Sequence, residues 1–242
     1  YFVGFGTLIG AVRHKGYIPW DDDIDCEMPL DDLMKLKSIV NAEWEAGKTY
    51  YKVLTMRDPK YYLIQGRIVD TRTHVYTAQY TKNQIEGLGV YIDIFILMGL
   101  PKGNELGYAR KMFTFRRAVR DFGYITYRKN FIRWIKLHTP YFVYRYIRGE
   151  NRLFDDVYEA MEKYPFDEAE TVLSFGSFYF EKLIVSSEIY RDKVELEFEG
   201  FTVYGPVGYD SYLTQIYGDY MTPVPPKERV THHSFTAYWK EG

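Results

Sequence analysis

Residues 6–29 read GTLIGAVRHKGYIPWDDDIDCEMP, and the rest of the chain is best interpreted outward from them. Gly6-Thr7 interrupts the apolar run YFVGF and opens a helical stretch, LIGAVRH. Lys15-Gly16 then ends that stretch, as a C-terminal glycine often does. Ile24 to Met28 read as a short strand carrying acids. Asp23 and Asp25 stand at i and i+2, so on a strand they project from one face while Ile24 points to the core. Two carboxylates about 5 Å apart, at an effective dielectric of about 20, repel by about 3 kcal/mol. A hard divalent cation, Mg²⁺ or Mn²⁺, reverses the sign of that interaction. Asp23 and Asp25 are therefore the expected metal pair, with Asp21 as a further ligand or support. Asp22 faces the other way if the strand reaches it, and is expected outside the chemistry. The neighbours Ile18, Pro19, Trp20, Ile24 and Met28 argue against a fully solvated acidic turn.

A calcium-binding EF-hand loop accounts for Asp21, Asp23 and Asp25 but fails further on. Cys26 stands where its glycine is required and Asp32 where its glutamate is. Upstream, Gly6 and Thr7 sit where a strand becomes a helix N-terminus, where exposed N–H groups and the helix dipole favour phosphate. A phosphate site and an acid pair are thus expected at one corner of the fold. A third acid is expected from Asp93 in YIDIFIL, because a carboxylate inside an apolar strand is costly unless paired or metal-bound. Asp70 is the lesser candidate. Arg67 is expected beside the acids, pairing with them or with a phosphate.

Beyond this corner, Leu33, Leu36, Ile39 and Val40 mark a helix with Asp31 and Asp32 at its N-terminus. Residues 51–56, 61–69, 73–78 and 90–97 read as strands. The pattern predicts an α+β fold with a mixed sheet flanked by helices. Three parts are expected: a catalytic core over 1–100, a basic aromatic helical insertion over 101–155, and a C-terminal region over 156–242 that completes the domain and closes the site. The opening YFVGFGTLIG reads as a strand and turn rather than a signal peptide, so further upstream residues are expected.

The net charge of −2 hides an asymmetry. Residues 110–152 carry twelve Lys or Arg against Asp121 and Glu150, a local charge of +10, and the remainder carries −12. FIRWIKLHTPYFVYRYIR within that stretch suits an amphipathic helix broken at Pro140. It is either a solvated face packed on the core or a surface for anionic polymer or lipid headgroups, with Arg116, Arg117 and Arg120 among its cations. No nucleic-acid motif is present. Aromatic residues make up 19% of the chain, which suits core packing or a cage for a quaternary ammonium. The single cysteine, Cys26, forms no internal disulfide and points to a reducing cytoplasmic setting, with the inner membrane face as an option. No apolar run is long enough to span a bilayer.

The long motif GTLIGAVRHKGYIPWDDDIDCEMP, with IDIF in mid-chain and FEGFTV…P…YDSYLTQIYGDYMTPVPPKERVTHH near the end, resembles the LicD family, which also gives its character to fukutin-related proteins. The resemblance implies a nucleotidyltransferase fold. It also implies transfer of a phospho-alcohol, such as phosphocholine, from a CDP-linked donor to a glycan hydroxyl, on teichoic acid or lipopolysaccharide precursors. In that reading Asp23, Asp25 and Asp93 hold Mg²⁺ or Mn²⁺ and one of them takes the acceptor's proton. Gly6 and Thr7 hold donor phosphate, while Arg13, His14 and Lys15 either cap their helix or contact phosphate. Arg229, His232 and His233 form a closing polar cluster. Three other functions remain open on the residues: transfer of a nucleotide to a small acceptor, a glycosyltransferase using its acids on a nucleotide sugar, and a non-catalytic glycan-binding module.

Overall fold

The computed structural model describes residues 1–77, 85–125, 130–176, 180–231 and 235–240. Its main sheet is mixed and runs β1 (Phe2–Val3), β2 (Asp25–Pro29), β6 (Tyr91–Gly99), β4 (Gly66–Asp70), β3 (Tyr51–Leu54). The nine residues of β6 are its spine. One edge pairs in parallel with β2. The other pairs antiparallel with β4 over its first half and with β7 (Thr171–Phe175) over its second. β8 (Ile184–Ser186) extends β7. Two small antiparallel pairs stand apart: β9 (Lys193–Phe198) with β10 (Phe201–Pro206), and β5 (Thr73–Thr77) with β11 (Phe235–Trp239). The expected α+β class with a mixed sheet and flanking helices holds.

The helices are α1 (Phe5–Arg13), α2 (Leu30–Glu45), α3 (Glu105–Gly123), α4 (Phe131–Val143), α5 (Glu150–Glu162) and α6 (Tyr209–Tyr217). A single apolar cluster gathers Leu8, Met28, Ile94, Met112, Val157 and Tyr212, so residues far apart in the chain share one core. Each such side chain, fully buried, contributes about 1.5–3 kcal/mol. Among the described residues no helix is long and apolar enough to cross a membrane.

Two local expectations change. α1 begins at Phe5, so Gly6 and Thr7 lie inside its first turn rather than before it. Phe5 takes a left-handed φ of 47°, a strained value for a bulky residue, where the chain swings from β1 into the helix. Pro140 does not break the basic helix: α4 runs through it and continues as a π-helical turn, Tyr144–Arg148, closed by Gly149 N–H donating to Tyr144 C=O.

Candidate active site

One rung of the main sheet sets the site. In the β2–β6 ladder Asp25 lies opposite Asp93, and in the β4–β6 ladder Arg67 lies opposite the same Asp93. Residues paired across a sheet share a face, so the two acids and the arginine converge. Arg67 Nε donates to Asp93 Oδ1 at 2.6 Å, and both side chains are buried. Burial is the largest influence on Arg67 and would lower its pKa, but the Asp93 carboxylate together with Tyr61 and Tyr91 outweighs it and holds the guanidinium above its ordinary value. The Tyr91 ring lies 3.7 Å from Arg67 Cζ. Arg67 Nη1 is buried without a hydrogen-bond partner among the described residues.

The start of β2 is tied to α1. Asp25 N–H donates to Thr7 Oγ1 at 2.9 Å, and Gly4 N–H donates to Asp25 C=O at 3.0 Å. Thr7 therefore uses its hydroxyl oxygen to fix the acid strand. Gly6 serves close approach: a Cβ there would stand 2.3 Å from Asp21 Oδ2. The acid loop is thus folded directly onto the first turn of α1.

β2 begins at Asp25, not Ile24, so Asp23 and Asp25 are not two positions of one strand. Asp21, Asp22 and Asp23 instead precede it in irregular chain. Their carboxylate oxygens lie within 4.8 Å of one another, close enough to share one ion. Because the strand does not reach Asp22, its carboxylate joins its neighbours rather than pointing away. Burial, with the charges of Asp23, Asp93, Asp21 and Glu27 around it, pushes the Asp25 carboxyl well above the usual range. Burial raises the Tyr91 hydroxyl against the pull of Arg67, and Asp93, Asp23 and Asp22 raise it further.

Other expected residues fall elsewhere or do other work. Arg13 donates to the Tyr220 carbonyl and to His14 Nδ1, which ties the end of α1 to the segment after α6. Burial and then the Arg13 charge lower the His14 pKa. Lys15 is exposed with a φ of 62°, and its carbonyl accepts from Glu199 N–H. Asp70 is held by Arg72, with Nη2 at 2.6 Å, and stays below the usual carboxylate range through those hydrogen bonds. Arg229 stacks over Trp20 at 4.9 Å, which brings the C-terminal segment beside the residue before Asp21. His232 and His233 lie outside the described residues.

No spacing or motif in the sequence singles out Glu27. It is fully buried two residues beyond Asp25 and accepts from Tyr190 Oη at 3.1 Å and Tyr212 Oη at 2.8 Å. Its own carboxyl is pushed up by burial, against the hydrogen bonds it accepts. Gly4 makes room for it, since a Cβ there would meet Glu27 Cγ at 2.9 Å.

The site is thus a helix turn pinned beneath an acid loop, with acids facing each other on neighbouring strands of a mixed sheet. Residues 1–98 match the family described as LicD/FKTN/FKRP, nucleotidyltransferase domain. The chain is 29% identical over 248 residues to the lipopolysaccharide cholinephosphotransferase LicD of Haemophilus influenzae, covering 98% of this chain and 88% of that protein. Shorter matches join it to uncharacterized proteins of two Rickettsia species. One, in Rickettsia prowazekii, is 43% identical over 49 residues, 20% of this chain and 18% of the relative. The other, in Rickettsia typhi, is 45% identical over 40 residues, 16% of this chain and 13% of the relative.

Proposed function

We propose that this chain is a metal-dependent phosphotransferase that moves a phospho-alcohol, phosphocholine in the first instance, from a CDP-linked donor to a hydroxyl of a lipopolysaccharide or related cell-surface glycan precursor. The observation that carries it is the rung on which Asp25 faces Asp93, with the Asp21–Asp23 loop folded over its end. The likeness to the Haemophilus enzyme along nearly the whole chain supports the choice of substrates.

The residues fit a hard divalent cation. Asp21, Asp22 and Asp23 share one loop, Asp93 pairs with Arg67 across its rung, and Asp25 is buried among like charges. That donor set is all oxygen, as Mg²⁺ and Mn²⁺ prefer. Asp23, Asp25 and Asp93 would hold the ion, with Asp21 and Asp22 in reach. When bound it would supply charge neutralisation on the diphosphate and the leaving group.

The chain's own groups do the rest. Arg67 fixes Asp93 as an anion and offers its unpaired Nη1 to a donor phosphate oxygen. The acceptor oxygen bonds to the phosphorus that carries the alcohol, the bond from that phosphorus to the bridging oxygen breaks, and CMP leaves with the bridging oxygen. The acceptor's proton goes to one of the carboxylates at this corner. Arg229 lies over Trp20, the residue before Asp21, where the segment around it would close the site. A cytoplasmic setting fits the lone thiol, Cys26.

A panel of CDP-alcohols with Mg²⁺ and a glycan acceptor tests this. Release of CMP with the phospho-alcohol on the acceptor is expected. Release of pyrophosphate from a nucleoside triphosphate, with nucleotide on the acceptor, would replace the proposal with nucleotidyl transfer.

A further inference from the structure

The basic region is less uniform than its composition suggests. Much of α3's charge is used within the molecule: Arg116 donates to the Gly176 carbonyl, Arg120 to Asp121, and Arg110 pairs with Glu181. α4 and the π turn differ. Residues 130–149, NFIRWIKLHTPYFVYRYIRG, carry four cations and no carboxylate. His138, buried on the side toward α3, bonds Asp121 through Nδ1 and pins the helix there. Tyr144 is the other buried side chain of the stretch.

The outer side is both apolar and cationic. Phe131 is 57% exposed, Ile132 69%, Tyr146 76% and Ile147 79%. Arg133, Lys136 and Arg145 are exposed among them and form no ion pair with any described residue. Arg148 is held by Asp156. Over eighteen residues, about 27 Å of helix at 1.5 Å per residue, large apolar groups alternate with exposed cations, of which Arg145 also lies 5.9 Å from the Phe122 ring. A protein interface tends to deplete charge at its apolar centre. Mixing exposed apolar groups with cations, and excluding acids, is what an anionic bilayer surface selects: apolar side chains enter the headgroup boundary and cations meet lipid phosphates.

We propose that α4 and the π turn form an interfacial anchor that lies flat on an anionic lipid bilayer. Phe131, Ile132, Tyr146 and Ile147 enter the headgroup boundary, and Arg133, Lys136 and Arg145 bind lipid phosphate. The surface is residues 131–148, not the basic stretch as a whole. The anchor would hold the enzyme beside a lipid-linked acceptor, but it stands independently of the catalytic proposal and its test needs no turnover.

The test is flotation of the full chain with vesicles of equal parts phosphatidylglycerol and phosphatidylcholine, against vesicles of phosphatidylcholine alone. Binding to the anionic vesicles is expected, weakening as salt rises and at least about tenfold weaker on the neutral ones. Reversing charge at Arg133, Lys136 and Arg145 is expected to lower anionic binding about tenfold or more. Ile132→Ser with Ile147→Ser is expected to lower it on its own, with circular dichroism unchanged. Reversing Lys48, Lys163 and Lys193, exposed elsewhere, matches the change in net charge and is expected to leave binding within about twofold. Should the apolar variant misfold, the two charge variants decide. No binding by the wild-type chain, equal binding to both vesicles, or equal losses from the two charge variants would overturn the proposal.

Discussion

Two acids of β2 are buried in opposite circumstances. Glu27 is fully buried and each of its oxygens accepts from a tyrosine hydroxyl. Asp25, two residues earlier and also buried, is surrounded by other carboxylates. Burial costs both acids, but only Glu27 has neutral donors to offset the cost. A buried acid with tyrosines around it binds the C-terminal region to the sheet. A buried acid among acids is costly in the folded chain until a cation arrives, which is how a binding site differs from a structural one.

Substitutions at the two acids should separate these roles. The largest effect is expected from Asp25→Asn, with a loss of about two to three orders of magnitude in turnover while the chain stays folded. Arg67→Ala leaves Asp93 buried and unpaired, and is expected to cost about 3–5 kcal/mol in chemical denaturation. Glu27→Ala strands two buried hydroxyls, at about 1–3 kcal/mol each, yet the folded fraction should keep most of its turnover. A folded but inactive Glu27→Ala enzyme would break the contrast.

The smallest effect concerns pH. The folded-state pKa of Asp25 lies above its unfolded value, so ionisation costs the folded chain stability. The penalty is absent below the ordinary aspartate range and grows as pH rises toward the folded-state value. Asp25→Asn is therefore expected to raise the thermal midpoint of the metal-free protein near pH 7, and the gain to fade as pH falls to about 4. A midpoint lowered at neutral pH would contradict the account of Asp25.

Much of the acid corner was legible in the sequence because its signals are local. Gly6-Thr7, the aspartate cluster and a carboxylate inside YIDIFIL each break a pattern that packing alone would keep. The α+β sheet followed from alternating apolar runs. What escaped depends on distance along the chain. Glu27 meets Tyr190 and Tyr212, which lie 163 and 185 residues away, so no spacing rule could pair them. Asp121 and His138 meet only because α3 and α4 pack together. Gly6 was interpreted for phosphate, yet it is Asp21 that crowds it. The start of β2 was placed one residue early. Asp23 belongs to the loop before the strand, in which three consecutive carboxylates come together.

Calorimetric titration of Mg²⁺ and Mn²⁺ into the wild-type chain, Asp25→Asn and Glu27→Gln tests the metal site most directly. The account predicts saturable binding by the wild-type chain, at least about tenfold weaker binding by Asp25→Asn, and wild-type affinity in Glu27→Gln. Equal affinity in the wild-type chain and Asp25→Asn, or no binding by the wild-type chain even with a CDP-alcohol present, would contradict it.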